Sequence, residues 1–517
     1  MPIRMTKDDD ENQQNESNRG TGNFSDLGGG ARNTGSGGII GMLLPFLFRY
    51  PKLLILLLII IGLFYFFGGK NTINNLASQG LASGCSLDPK IYDKALVFEP
   101  LANNAKNPLP DFVSLEKFAP KRMNQGSQGS CVAWSSAYAA RTIMRSRETG
   151  EDPNKIAFSP SYLYNQIALE GCEGSYVKWA MQAMEQKGGL PLKDFPYNEN
   201  DCSAKPTNEE LNLGSHYSIL GANRLSINGD DQTIDLLAMK QNLSQGAPVV
   251  IGMMVGGTFM HGMFGKKVWH PTQSDYSMNG FGGHAMCVIG YDDNLEGGAF
   301  QIMNSWGPEW GENGLGYVRY NDFMKFAKEA HGLYPMGSSE KPSSNKLNLK
   351  FGLINNSDGS NIQLKNKGGN LFSTISPISK GSKFKIEVSN SVECYIYIFG
   401  QETNGSSYVL FPYTQKHSPY CGITGTRLFP KDYSMQADNI GNKDFMAVVV
   451  SKKPIDFNEL NNKINSSIGN SYLTKITETL KNQIVQNVSF KSSDRIEFET
   501  DVNDKNSVAI IIEVDKK

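Results

Sequence analysis

The chain of 517 residues is 39% hydrophobic and 20% charged, a composition typical of a folded protein that excludes disorder throughout. Lys and Arg number 50 against 51 Asp and Glu, and a net charge of −1 gives no field that would attract nucleic acid. The length exceeds what one hydrophobic core supports, so we expect two or more domains. The 7 cysteines include no CxxC, and HExxH is absent, so we expect neither a metal nor another cofactor.

The first region is polar and the second is strongly apolar. Residues 1–38 are rich in Asn, Gly, Ser and Asp without apolar periodicity, which predicts a disordered tail. Residues 39–69 contain IIGMLLPFLF and LLILLLIIIGLFYFFGG, and about 20 apolar residues suffice to cross a bilayer. We therefore predict a single-pass transmembrane helix that anchors the chain in the lipid bilayer. More basic residues precede this run than follow it, so the remaining chain is expected outside the cytoplasm, in the periplasm or at the cell surface.

Composition and hydrophobic pattern divide the remaining chain into four regions. Residues 70–107 are predicted to be a linker, and residues 108–335 mix helical and strand patterns as one domain does. A second polar linker follows at 336–346. Residues 347–517 show short alternating runs such as KFKIEV and CYIYIF, which predict an all-β, sandwich-like domain. One helical stretch, at 457–484, interrupts these strands.

One cysteine stands at a predicted helix start. In QGSQGSCVAW (125–134), Cys131 follows glycines and begins CVAWSSAYAARTIMRS, whose apolar residues recur with a helical period. Ser130 is a candidate N-cap, which puts Cys131 on the first turn, where the helix dipole lowers a thiol pKa. A buried, inert thiol is the alternative at this position.

Two further polar residues supply what a reactive thiol needs. His284 opens the apolar run AMCVIGY, which reads as a buried strand, and Asn304 ends another strand. An imidazole can accept the proton of a thiol, and an amide oxygen can fix the ring's orientation and tautomer. Each residue alone has an ordinary structural interpretation, as a packed histidine and a turn asparagine.

Three motifs together resemble the papain family of cysteine peptidases. They are Q-G-S-x-G-S-C (125–131), H-A-x-x-V-x-G-Y (284–291) and N-S-W-G-x-x-W-G-x-x-G (304–314). The resemblance implies an α+β papain-like fold with a helical left half and a β-barrel-like right half.

The same resemblance implies the catalytic roles. Cys131 would be the nucleophile, His284 the general base and then acid, and Asn304 the residue that orients His284. Gln125 and the backbone N–H of Cys131 would form the oxyanion hole.

The resemblance also implies a substrate-binding set. The backbone of Gly174 and Ser175 would pair with a polypeptide substrate in extended conformation. Trp306 would shield the hydrogen bond between the catalytic histidine and asparagine. Trp310 would line the primed side of the cleft, where the residues after the cleaved bond lie.

Several features outside the catalytic motifs remain. Cys172 and Cys202 match family cysteines that have lost their usual partners, so they are candidates for a disulfide with each other. No long charged helical segment precedes residue 108, so the usual inhibitory prosegment is expected to be absent.

The C-terminal region carries a second resemblance. Its segment HSPYCGITGTRLFPKDYS resembles an uncharacterised bacterial domain fused to peptidases, with a protein-binding or spacing role. The aromatic residues of this domain form either a binding face or a core: Tyr395, Tyr397, Phe399, Phe411, Tyr413 and Tyr420.

The predicted function is that of a membrane-anchored cysteine endopeptidase acting through an acyl-thioenzyme. Two alternatives stay open. A transpeptidase or amidase would use the same thioester with another acceptor, and a catalytically silent scaffold would only bind peptides.

Overall fold

The computed structural model describes residues 3–7, 83–227, 229, 231–334, 345–492 and 495–517. The predicted membrane anchor at 39–69 and most of the predicted tail and of the second linker lie outside these residues. Among the helices of the described part of the chain, none combines the length and apolar character needed to cross a membrane.

The first domain combines helices with one eight-stranded sheet, and its hydrophobic core lies between them. The strands are Phe112–Ser114, Gly221–Arg224, Val249–Val255, Val268–Trp269, Gly282–Asp292, Ala299–Met303, Leu315–Arg319 and Ala327–Tyr334. The helices and helical turns are Glu116–Phe118, Cys131–Ala133, Trp134–Arg141, Thr142–Thr149, Pro153–Ile156, Pro160–Ile167, Glu170–Cys172, Val177–Lys187, Asn208–Ser215, Leu236–Ser244, Gly257–His261, Asp275–Ser277 and Tyr320–Phe326.

The helix that begins at Cys131 runs without interruption to Thr149, with a wider π-helical turn in its middle, and ends at Gly150 in a left-handed conformation. We call it the site helix. Residues 131–144 of this helix are all buried, because they lie inside the domain core. The sequence pattern predicted an apolar stripe on one side of the helix, whereas the structure buries every side of it. The antiparallel strands Val249–Val255 and Gly282–Asp292 face the same core and carry His284 towards the start of the site helix.

The C-terminal domain has two sheets that share one core, with two helices outside one of them. Its strands are Lys346–Asn355, Asn361–Ile362, Leu364–Gly368, Leu371–Thr374, Lys383–Asn390, Cys394–Gln401, Ser407–Phe411, Tyr420–Cys421, Gly425–Phe429, Tyr433–Ala437, Lys443–Ser451, Phe490–Ser492, Ile496–Asp501 and Ser507–Asp515. The helices are Phe457–Ser466 and Tyr472–Thr479, where the sequence pattern predicted one helical stretch.

The strand Cys394–Gln401 explains the many aromatic residues of this domain. Ile396 and Ile398 face the core between the sheets, whereas Tyr397 and Phe399 face the two helices. Alternate side chains of a strand point to opposite faces, so a strand that is covered on both sides is apolar throughout. These two aromatic residues, with Phe411 and Tyr420, are buried and therefore belong to the core rather than to an exposed binding face.

Two segments differ from their predicted disorder or flexibility. Ile3–Lys7 forms a strand that pairs antiparallel with Tyr433–Ala437, so the tail is not disordered over these residues. Residues 83–107 are not a free linker. They include the helix Pro89–Tyr92 and a stretch at 97–102 that is buried between the two domains.

One side chain shows how closely this stretch is held. Arg427 of the C-terminal domain is fully buried and donates hydrogen bonds to the carbonyl of Glu99, at 3.0 Å, and to Oδ1 of Asn390, at 2.7 Å. Just before Glu99, the N–H of Val97 donates to the carbonyl of Lys416 and that of Phe98 to the carbonyl of Arg224.

Candidate active site

Cys131 is the first residue of the site helix and is fully buried. Ser130 occupies the N-cap position, but its hydroxyl bonds to the Tyr197 hydroxyl at 2.7 Å instead of capping the helix. The sulfur accepts a hydrogen bond from the Ala285 N–H at 3.4 Å, which brings the residue after His284 against the thiol. Burial raises the pKa of Cys131 to about 12. Desolvation of the thiol therefore outweighs the lowering of its pKa that the helix dipole was expected to cause.

His284 is also fully buried, and its ring is held on two sides. Its Nε2 donates to Oδ1 of Asn304 at 2.8 Å, and the Ser305 N–H donates to the same oxygen at 2.8 Å. The Trp306 ring stacks on the imidazole with centroids 4.3 Å apart. Because an amide oxygen only accepts, the proton sits on Nε2 and leaves a lone pair on Nδ1, which has no hydrogen-bond partner among the described residues. Burial lowers the pKa of His284 to about 4.

Gln125 lies in the same network through Ser305. The Ser305 hydroxyl donates to Oε1 of Gln125 at 2.6 Å, and the Gln125 N–H donates to the Ser305 carbonyl at 2.8 Å. The Gln125 side-chain amide donates to the carbonyl of Gln128 at 2.9 Å. Ser305 therefore orients both Asn304 and Gln125, a role that its place inside the N-S-W motif did not indicate.

A tyrosine supports the loop before the nucleophile. The Tyr197 hydroxyl donates to the carbonyl of Gln125 at 2.6 Å and bonds to Ser130, and its ring packs edge-on against Trp134. Oε1 of Gln128 lies 3.3 Å from the same hydroxyl. Hydrogen bonds of Tyr197 thus hold this loop in place. Nothing in the local pattern around Tyr197 indicated this contact.

An extended segment of the chain itself lies in the predicted substrate cleft. We call residues 83–88 the cleft strap. The Ser175 N–H donates to the Gly84 carbonyl at 2.8 Å, and the Ser86 N–H donates to the Ser175 carbonyl at 2.9 Å. The N–H groups of Gly84 and Cys85 both donate to the carbonyl of Gly283, at 3.2 and 3.1 Å. Residues 83–88, which the sequence placed in a linker, thus occupy the predicted substrate cleft.

The other predicted site residues fall in different places. The backbone of Gly174 and Ser175 faces the cleft strap, but the Ser175 hydroxyl turns inward to the carbonyl of Ile167 at 2.9 Å. Trp310 is 1% exposed and donates to the carbonyl of Phe259, so it supports Trp306 from behind and does not line the cleft. Cys172 and Cys202 form the disulfide that the sequence suggested. Cys394 and Cys421 are free, although they face each other on paired strands.

Comparison with known proteins agrees with this site. Residues 114–334 match the family model described as papain family cysteine protease, and residues 378–454 match a domain of unknown function, DUF4384. Vignain of Phaseolus vulgaris is 29% identical over 203 residues, covering 38% of this chain and 49% of vignain. The senescence-specific cysteine protease SAG12 of Arabidopsis thaliana is 30% identical over 215 residues, covering 41% of this chain and 54% of that protein. The chain thus spans about half the length of these curated relatives.

Among solved structures, xylellain, a cysteine protease from Xylella fastidiosa, matches with 22% identity and a TM-score of 0.41, covering 50% of this chain and 97% of xylellain. The family match together with the sequence relatives identifies residues 114–334 as a papain-family cysteine protease domain, which a DUF4384 domain follows.

Proposed function

We propose that this protein is a cysteine endopeptidase that hydrolyses peptide bonds through an acyl-thioenzyme. One observation carries the proposal. The cleft beside Cys131 already holds an extended peptide segment through backbone atoms of Ser175 and Gly283. Backbone pairing of this kind accepts many sequences, so the same groups suit a polypeptide substrate once the cleft strap has left.

The geometry supports a division of roles during the reaction. Cys131 attacks the substrate carbonyl while its proton passes to Nδ1 of His284, whose free lone pair is suited to accept it. The imidazolium then protonates the leaving amine, and a thioester remains on Cys131. Water, deprotonated by the same nitrogen, hydrolyses the thioester. Throughout these steps Asn304 keeps the imidazole oriented, and the stacked Trp306 covers it.

The oxyanion of each tetrahedral intermediate needs hydrogen-bond donors that are already in place. The backbone N–H of Cys131 and the side-chain amide of Gln125 are the proposed donors. Ser305 fixes Gln125 from its oxygen side, so the amide group is oriented before substrate binds. Each such donor removed typically costs about 10²–10³ in rate.

Alkylation by an epoxide directed at papain-like thiols tests the site. The wild-type protein should gain one adduct at Cys131, and His284→Ala should react far more slowly. His270→Ala is the matched control, because His270 is 55% exposed and pairs with Glu296 instead. Equal rates in all three proteins would contradict the proposal. Product analysis with a peptide and an added amine then separates hydrolysis from transfer, and a rapidly alkylated protein without turnover would be a peptide-binding scaffold.

We further propose that residues 39–69 anchor the protein in a membrane, with the peptidase domain outside the cytoplasm and the C-terminal domain available to a protein partner. The pairing of Ile3–Lys7 with Tyr433–Ala437 conflicts with this arrangement, because a single span at 39–69 would put the two strands on opposite sides of the membrane. A tag at the N-terminus and protease added outside intact or outer-membrane-permeabilised cells test it. Loss of the peptidase domain with survival of the tag is expected. Loss of both would contradict a single span.

A further inference from the structure

A cavity of about 990 Å³ lies between the protease domain and the C-terminal domain. Phe98 and Glu99 line it on the protease side, and Tyr413, Lys431 and Tyr433 line it on the other side. Tyr433 is 47% exposed, so the cavity opens to solvent there, whereas Glu99 is 3% exposed and lies deeper. None of the described residues that line the cavity belongs to the candidate active site. Its volume is in the range of about 300–1,000 Å³ that small-molecule sites have.

The side chain of Glu99 has unused hydrogen-bonding capacity inside this cavity. Glu99 is the one charged residue in the run VFEPLA (97–102), of which every residue is buried. Its Oε1 accepts a hydrogen bond from the Tyr413 hydroxyl at 3.3 Å, and its Oε2 has no hydrogen-bond partner among the described residues. Because a buried carboxyl group is costly unless it is paired, this side chain is suited to a ligand that supplies the missing partner.

Two basic side chains lie near Glu99, and both are engaged elsewhere. Arg427 donates to two backbone carbonyl groups, one of them that of Glu99, and to Oδ1 of Asn390. Lys431 pairs with Asp235, with 3.5 Å between Nζ and Oδ2. Since neither cation bonds to the Glu99 carboxyl group, desolvation dominates and raises the pKa of Glu99 to about 8.

The charge around the cavity selects the kind of ligand. Among the described residues that line it, the carboxyl groups of Glu99, Asp231 and Asp432 face the single ammonium group of Lys431. Apolar walls come from Val97, Phe98, Pro100 and Pro430. An excess of acidic groups beside apolar surface favours a cation with an apolar body over an anion.

We propose that this cavity binds a small organic cation, whose guanidinium or primary ammonium group meets the Glu99 carboxylate while its apolar body lies against the walls. On binding, the Glu99 proton passes to solvent, and the carboxylate and the cation form a charge-assisted hydrogen bond. The site is separate from the chemistry at Cys131, so loss of peptidase activity would not contradict it.

Calorimetric titration of the full chain with 4-phenylbutylguanidinium tests the proposal, with 4-phenylbutan-1-ol as the neutral counterpart. One guanidinium should bind per chain, about 10-fold or more tightly than the alcohol, because hydrogen bonds between charged groups are the stronger ones. In Glu99→Gln the guanidinium should lose about 10-fold or more in affinity, while binding of the alcohol stays the same. Glu459→Gln is the matched control, since this carboxylate is exposed and pairs with Lys463, and it should bind like the wild type.

The wild-type protein supplies a second readout that does not depend on the folding of a variant. At about pH 7, titrations in buffers of different ionisation enthalpy should show release of about one proton per guanidinium bound, because Glu99 is protonated below its pKa of about 8. For the same reason the affinity should rise with pH up to about 8 and then level off. The titratable and charged groups that face Glu99 and the cavity are Asp231, Tyr413, His417, Arg427, Lys431 and Asp432. Of these residue types histidine ordinarily changes charge near neutral pH, and the contribution of His417 is retained in Glu99→Gln.

The outcomes separate charge recognition from its absence. Failure of the guanidinium to bind the wild-type protein would overturn the proposal. Equal affinities for the guanidinium in the wild type and in folded Glu99→Gln, or for the guanidinium and the alcohol in the wild type, would overturn it as well. If Glu99→Gln shows no cooperative unfolding transition and is therefore not folded, binding of the guanidinium to the wild type without proton release would overturn it.

Discussion

Both domains bury polar side chains, but these side chains differ in how much of their hydrogen-bonding capacity is used. In the C-terminal domain the fully buried Lys516 bonds to Asp438 at 2.5 Å, to Asp444 at 2.7 Å and to the Ile440 carbonyl at 2.8 Å. In the protease domain the buried His284 is bonded on one ring nitrogen only.

The difference separates structural burial from a reactive site. A buried charge that meets opposite charges and a carbonyl is satisfied, and it has no capacity left for a substrate. A buried imidazole with an open lone pair retains that capacity, and its neighbours Asn304 and Trp306 fix the ring without using it. The network around His284 thus leaves one acceptor free, whereas the three hydrogen bonds of Lys516 use all of its donors.

Lys516→Met tests the contribution of the buried charge to the stability of the C-terminal domain. Removal of the ammonium leaves Asp438 and Asp444 close together without their cation, which should lower the free energy of unfolding of the C-terminal domain by about 3–5 kcal/mol. Calorimetry measures this loss. All 5 tryptophans belong to the protease domain, so the transition seen by tryptophan fluorescence should change less.

The matched control is Lys463→Met, in an exposed pair with Glu459. This pair should contribute less than about 0.5 kcal/mol, because water screens it. Equal losses in the two variants would show that Lys516 is not the centre of a buried network.

The pH dependence of unfolding tests whether the imidazole of His284 is buried in its neutral form. Burial lowers the pKa of His284 to about 4, against about 6.5 when unfolded, so the unfolded state binds the proton more readily between these values. Stability from the neutral imidazole is therefore fully present above pH 6.5 and is lost as the pH falls towards 4, by about 3 kcal/mol. Tryptophan fluorescence follows the transition. His284→Asn should lack this part of the acid sensitivity, and parallel curves for the two proteins would contradict the assignment.

What could be predicted from the sequence depended on local pattern. Cys131, His284 and Asn304 each stand in a short motif, and alternating runs such as that at Lys383–Asn390 were enough to predict strands. The cleft strap could not be predicted, because its place depends on backbone hydrogen bonds and on glycines far away in the chain. The burial of Trp310 was missed for a related reason, since a tryptophan among glycines indicates a loop but not which side of it faces water.

Ser305→Ala has the smallest expected effect, because it removes a single hydroxyl that positions Gln125 in the site. Its loss removes the 2.6 Å hydrogen bond to Gln125, while the Ser305 N–H still holds Asn304. Because the amide donor then loses one of the bonds that position it, we expect kcat for a peptide substrate to fall about 10-fold, with KM less affected. Ser305→Thr keeps the hydroxyl and should restore most of the rate. A fall in thermal stability with unchanged kcat would instead make Ser305 a structural residue, like the satisfied polar groups of the C-terminal domain.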